Sequence, residues 1–149
     1  MSNHELESVR VTRVLAGSPE RVFNAWIDSA LLQHWLAPKV EVDAKEGGHF
    51  RLEVAKPEGV HVVTGSYLDF KPNERLVMTW VYDGPMGTAK DMESLLTVEL
   101  RKRGSNTEIT VHHDKLTNRT YRDTIAKGAW TTALDKLETV LAEPSRKTA

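Results

Sequence analysis

The chain has 149 residues, 40% of them hydrophobic, enough for one domain with a substantial core and too few for two ordinary ones. Its 20 Lys and Arg face 21 Asp and Glu, a formal charge of -1, so no bulk electrostatic reason favours nucleic acid or anionic lipid as a partner. Cysteine is absent, which excludes disulfides, thiolate metal sites and cysteine nucleophiles; Met1 to Val9 is polar, and no apolar run reaches the ~20 residues that cross a bilayer. These features predict a cytoplasmic protein with no membrane insertion.

Ser8 to Leu15 alternates valines with polar residues and predicts a strand with one solvated face. Ser18 followed by Pro19 is a helix start, because proline gives up a backbone donor that would have had no partner there. Val22, Phe23, Trp26 and Ile27 line one side of that short helix. Asp28 or Ser29 restarts the backbone for a second one, with Leu31, Leu32, Trp35 and Leu36 as its apolar side and Pro38 as its stop. From Val40 to Leu116 the period changes to two. Six strands are predicted, at 40–44, 49–55, 60–70, 75–82, 92–102 and 107–113, joined by Gly-, Pro- and Asn-rich turns short enough to make neighbours antiparallel. Leu76, Met78, Trp80 and Tyr82 share one inward face, and Met92, Leu96, Val98 and Leu100 another.

A last helix is expected from Thr120 to Leu141. Its second half carries a packed stripe of Trp130, Leu134, Leu137, Val140 and Leu141, whereas Thr124, Gly128, Ala129 and Thr132 put little volume on the first half. Glycine in a helix costs roughly 1 kcal/mol relative to alanine, so Gly128 suggests that a strand or a ligand approaches the backbone closely. The core spans about 9–141, and 143–149 has no apolar anchor and is expected to fray. The sum is an α+β arrangement: a curved antiparallel sheet of six to seven strands, two short helices after the first strand, and a long C-terminal helix across the sheet. At 1.5 Å per residue a helix of roughly 22 residues reaches ~33 Å, enough to cross such a sheet. The light half of the helix then leaves a funnel between sheet and helix unfilled.

Trp26 and Trp130 are assigned to the core, and Trp35 and Trp80 to the pocket. His112 and His113 point to opposite faces of a strand and cannot share a metal ion, so no metal site is assigned. Sharing a face with Ile109 and Val111, His113 would enter the cavity near Tyr121, the tyrosine best placed to offer a hydroxyl; the competing role is a strand-end histidine bonded to backbone. His49 and His61, beside glycine turns, are expected to be solvated. Arg51, Glu53, Asp69 and Glu93 are strand charges whose ordinary place is the solvated face, although Glu53 or Asp69 inside a cavity would have a raised pKa and become a candidate functional group. No phosphate loop and no Gly-x-Ser-x-Gly elbow is present, and no cofactor or catalytic residue is assigned.

The order of elements, with Ser18-Pro19-Glu20-Arg21-Val22-Phe23-Asn24-Ala25-Trp26, His34-Trp35-Leu36-Ala37-Pro38, Arg75-Leu76-Val77-Met78-Thr79-Trp80 and Gly128-Ala129-Trp130 ahead of Leu134, Leu137 and Leu141, resembles the START and birch-pollen-allergen superfamily (SRPBCC). Within it the chain is similar to the branch of the C-terminal domain of the heat-shock chaperone ATPase activator. The resemblance covers about Val9 to Leu141. It implies a helix-grip fold, a cavity for apolar or amphipathic small molecules, no universal catalytic residue, and a chaperone as a further partner. Leu36-Ala37 stands where many relatives carry tryptophan and glycine before the proline, which alters the pocket mouth.

The expected function is therefore a non-enzymatic module that holds a hydrophobic or aromatic ligand. Its expected lining is Trp35, Leu76, Met78, Trp80, Tyr82, Met92, His113, Tyr121, Thr124, Ile125, Gly128, Ala129 and Thr132. Two alternatives stand beside it: a polyketide cyclase or hydrolase using a polar pair such as His113 with Tyr121, and a chaperone-ATPase cofactor in stress response. Monomer and edge-paired homodimer are both compatible with the sequence.

Overall fold

The period-two segments of the chain form one antiparallel sheet in the computed structural model, which describes residues 8–142. In chain order the elements are β1 (Val9–Leu15), α1 (Pro19–Ile27), α2 (Ser29–Trp35), β2 (Lys39–Val42), β3 (His49–Lys56), β4 (Gly59–Lys71), β5 (Arg75–Asp83), β6 (Glu93–Arg103), β7 (Asn106–Asp114), α3 (Arg119–Thr124) and α4 (Trp130–Ala142), with a π-helical turn at Ile125–Ala129. Strand order is β1-β7-β6-β5-β4-β3-β2. Every hairpin neighbour pairs in sequence, and β1 closes on β7 with Val9 opposite His113 and Leu15 opposite Thr107. The expected fraying of 143–149 lies outside the described residues. The predicted fold holds: seven strands, two short early helices and a C-terminal helical segment gripped by the sheet.

Local chemistry explains each junction. Ser18 Oγ accepts the Arg21 N–H at 3.2 Å, and Asp28 accepts the N–H groups of Ala30 at 2.8 Å and Leu31 at 3.4 Å, so one carboxylate starts α2 where α1 ends. The Trp35 indole then donates to the Ala25 carbonyl at 3.0 Å and fixes α2 against α1. On the inner face of β7, Thr107, Ile109, Val111 and His113 are all fully buried, as alternation requires. In β4 a bulge between Tyr67 and Asp69 adds one residue. Tyr67 and Phe70 therefore both reach the interior although three positions apart, and Leu68 is left outside. Met92 is buried as expected, although a turn of 3-10 helix at Ala89–Asp91 delays the start of β6 to Glu93; Ser94, Leu96 and Val98 continue the inward face.

The C-terminal helix is not continuous. Asn118 caps α3 by accepting the Tyr121 N–H at 2.9 Å, but at Gly128 the backbone turns to φ 118° and ψ 19° before α4 begins. A Cβ built on Gly128 would meet nothing within 4 Å. The glycine thus answers to a backbone angle that L side chains rarely adopt, and the expected close approach of a strand does not occur. Beyond the break, Trp130, Leu134, Leu137 and Leu141 are buried as a stripe. Arg13 of β1 reaches across to Asp135 of α4 at 2.7 Å and ties the helix to the sheet edge.

Candidate functional site

Between the end of α2, the inner face of β3 to β5 and residues 121–136 lies a cleft of about 630 Å³. Leu52, Val54 and Val63 form its floor, Trp80 and Trp130 its inner wall, and Ile125, Ala129 and Ala133 its helical side; Leu36-Ala37-Pro38 stands at one lip. Polar side chains gather at its mouth: His34, Lys56, Glu58, His61, Thr132 and Lys136. Neither lysine has a carboxylate within ion-pair distance among the described residues.

Eight of the residues expected to line a pocket do line this cleft: Trp35, Trp80, Tyr82, Tyr121, Thr124, Ile125, Ala129 and Thr132. The other five do not. Leu76 and Met78 share the inward face of β5 with Trp80 and Tyr82, but at ~3.3 Å per residue Leu76 lies ~20 Å along the strand from Tyr82, beneath the packed part of the core. Met92 borders a void of about 10 Å³ beside Ser94 and Tyr121. Gly128 makes the bend without facing the cleft. Trp130, assigned to the core, is both: it stacks on Trp26 at 5.9 Å and also walls the cleft.

His113 lies behind the wall. The Trp130 indole donates to its Nδ1 at 3.0 Å, and its Nε2 meets Ser94 Oγ at 2.8 Å, while that hydroxyl gives its own proton to the Trp80 carbonyl, also at 2.8 Å. An indole N–H can only donate, so Nδ1 must be the bare nitrogen and Nε2 carries the proton. Burial, with a smaller contribution from His112, pushes its pKa down to about 3. The ring is a neutral core group with both nitrogens occupied, and its bonds go to side chains, not to backbone. It meets Tyr121 only edge to face, with centroids 6.3 Å apart, so the polar pair that a cyclase or hydrolase would use there is not formed.

Tyr121 and Tyr82 stack at 4.5 Å with planes 25° apart. The Tyr121 oxygen accepts the Trp80 indole N–H at 2.8 Å, which leaves its own hydrogen without an acceptor among the described residues. Burial raises its pKa, opposed by the Trp80 bond. Tyr82 is held differently. Its oxygen accepts the Met86 N–H at 3.2 Å and meets His61 Nδ1 at 2.8 Å, while His61 Nε2 meets Glu58 Oε2 at 2.9 Å. Far from being solvated, His61 is a half-buried bridge between a turn carboxylate and a buried phenol. Sequence reasoning missed this cluster. The available signal was register: Val63 faces Tyr82 across the β4–β5 hairpin, which puts His61, two residues earlier, on the same face and one step away.

Fold and cleft together define an α+β helix-grip protein with an open space between sheet and C-terminal helices. Residues 16–142 match the family model described as Activator of Hsp90 ATPase homolog 1-like protein, and the chain belongs to that family. Among curated proteins none matches the sequence. Of solved structures, protein CV1439 from Chromobacterium violaceum is 26% identical with a TM-score of 0.82, covering 93% of this chain and 99% of that one. Protein MLL2253 from Mesorhizobium loti is 24% identical, with a TM-score of 0.76 and 90% and 96% coverage. DynU16, a protein in the dynemicin biosynthetic locus, shares the fold at 19% identity and a TM-score of 0.75; this chain covers 49% of it, and 94% of this chain is covered. Among the described residues no helix is long and apolar enough to cross a membrane.

Proposed function

We propose that the chain is a single cytoplasmic domain that binds a hydrophobic or aromatic small molecule in the cleft between sheet and C-terminal helices. The observation that carries this reading is the cleft's make-up: apolar and aromatic walls around about 630 Å³, with a few polar groups confined to its mouth and to the Tyr82–Tyr121 pair. Pockets of roughly 300–1,000 Å³ with such linings suit drug-sized ligands. The free hydrogen of Tyr121 supports the same reading, because a ligand oxygen would satisfy it.

The test is a thermal-shift and tryptophan-quenching screen of the full chain against fatty acids, flavonoids, polyketide-like naphthols and 1-anilinonaphthalene-8-sulfonate. A ligand at 100 times its Kd adds about 2.7 kcal/mol of stability. Such a compound should raise Tm by several degrees and quench Trp80 and Trp130. No shift and no quenching from any class would overturn the reading. The family's description supplies a second reading, a chaperone-ATPase cofactor in stress response, carried by the match over residues 16–142.

A further inference from the structure

Glu58, His61 and Tyr82 all line the cleft, and hydrogen-bond chemistry fixes the direction of their chain. Hydrogen bonds from its own backbone N–H and from His61 hold Glu58 below the usual carboxylate range, so it is ionised and only accepts. His61 Nε2 therefore carries the ring proton toward Oε2 at 2.9 Å, which leaves Nδ1 to accept the Tyr82 hydroxyl at 2.8 Å. The Met86 N–H occupies one lone pair of that phenol oxygen and leaves the other free.

The seat of this hydroxyl is built by backbone. Gly84 and Gly87 exchange backbone hydrogen bonds of 3.0 and 3.1 Å and curl the turn so that the Met86 N–H faces the phenol. A Cβ on Gly84 would stand 2.6 Å from Tyr82 Oη and 2.9 Å from Cζ, so only glycine leaves room for it. A phenyl ring would fill the aromatic stack equally well. The glycine gap, the N–H donor and the imidazole all serve the oxygen.

Resting on the binding reading above, we infer that Glu58, His61 and Tyr82 form a proton-accepting relay for an aromatic cleft ligand bearing an acidic hydroxyl, phenolic or enolic. The O–H bond of the ligand breaks and its proton passes to Tyr82 Oη, as the Tyr82 proton passes along the existing bond to His61 Nδ1. His61 becomes an imidazolium between phenol and Glu58 carboxylate, and the ligand is left as its phenolate or enolate. One proton has moved and nothing else is gained or lost. The other charged and titratable groups facing the relay are Lys56, at the end of β3, and Asp83, next to Tyr82; His34, Lys136 and Tyr121 face it across the cleft. Lys56 and Lys136 favour the anion left behind, and the Tyr121 hydroxyl can donate to it.

The experiment uses the full chain and 4-methylumbelliferone, a phenol whose neutral and ionised forms have different excitation spectra. Occupancy is read separately, from tryptophan quenching. Bound probe should ionise about one pH unit lower than free probe, a tenfold shift in its ionisation equilibrium. Tyr82→Phe should bind and lose the shift, His61→Gln should lose most of it, and Glu58→Gln part of it. Gly84→Ala should mimic Tyr82→Phe by displacing the hydroxyl. Quenching with an unmoved probe pKa would overturn the relay and leave the binding reading intact; absence of quenching by this probe and by the whole screen would remove both. A shift that survives Tyr82→Phe and His61→Gln but disappears in Lys136→Gln belongs to the cleft's positive charge, and would overturn the relay as well.

Discussion

His113 and His61 both have each ring nitrogen hydrogen-bonded, yet they sit in opposite kinds of surroundings. His113 is enclosed by Trp80, Ser94, Tyr121 and Trp130, and its partners are an indole and a hydroxyl, neither of which takes up a charge. His61 stands at the cleft mouth, and its partners are a carboxylate, which carries charge and only accepts, and a phenol, which can donate. The same contrast divides the molecule. Under α1 and α4 the sheet is sealed by Leu15, Val22, Leu134 and Leu137, all 0% exposed, whereas beside α2 and residues 121–133 it stays open. Saturated hydrogen bonding therefore says little about function; whether the partners can carry charge and whether a ligand can reach them decides the matter.

The largest expected effect tests the sealed half. Leu137→Ala removes a fully buried side chain from the α4 stripe and should cost roughly 2–5 kcal/mol, read as a lowered denaturation midpoint. Val54→Ala, on the half-buried cleft floor, should cost under ~1.5 kcal/mol and act chiefly on ligand affinity. Equal losses at the two sites would erase the distinction between packed and open halves.

Acid supplies the next test. His113 binds a proton near its ordinary pKa of 6.5 when unfolded and only near about 3 when folded, so between those values the unfolded chain holds the extra proton. Stability should be full above pH 6.5 and fall as pH is lowered, by about 1.4 kcal/mol per pH unit from this group. Urea titrations at pH 7 and pH 5 compare the two values directly. His113→Phe should be less stable at pH 7, because Trp130 and Ser94 lose their partner, and should flatten the slope. An unchanged slope in the variant would show that His113 is not the group that sets it.

Much of this was legible in the chain. Alternation with Ile109 and Val111 turned His113 inward, Ser18-Pro19 and Asp28 marked the helix starts, and the small residues from Thr124 to Thr132 marked the open side. What failed did so for nameable reasons. Period-two patterning tells which face of β5 is inside but not which stretch of that face is covered, hence Leu76 and Met78. His61 was passed over because its partners come from a turn and from a strand residue 21 positions on, a conjunction that only register reveals. Gly128 was noticed for its helix cost, but one residue does not declare whether it serves space or backbone angle.

Gly128 separates those two possibilities, and it lies on the seam between the halves, two residues before the buried stripe of α4 begins at Trp130. Adding a methyl group meets open space, so packing alone predicts almost no change on Gly128→Ala, or even a small gain from a stiffer unfolded chain. The backbone angle of 118° predicts the reverse. An L residue forced into positive φ there should lose about 1–2 kcal/mol, and asparagine, which tolerates left-handed backbone better, should lose less than alanine. Because the π-helical turn carries Ile125 and Ala129 on the cleft side, straightening it would also move the helical wall against β5. Thermal unfolding of Gly128→Ala and Gly128→Asn, each with and without bound probe, reads both effects. A neutral alanine variant with unaltered affinity would mean that the bend is incidental and that the cleft owes its opening to small side chains alone.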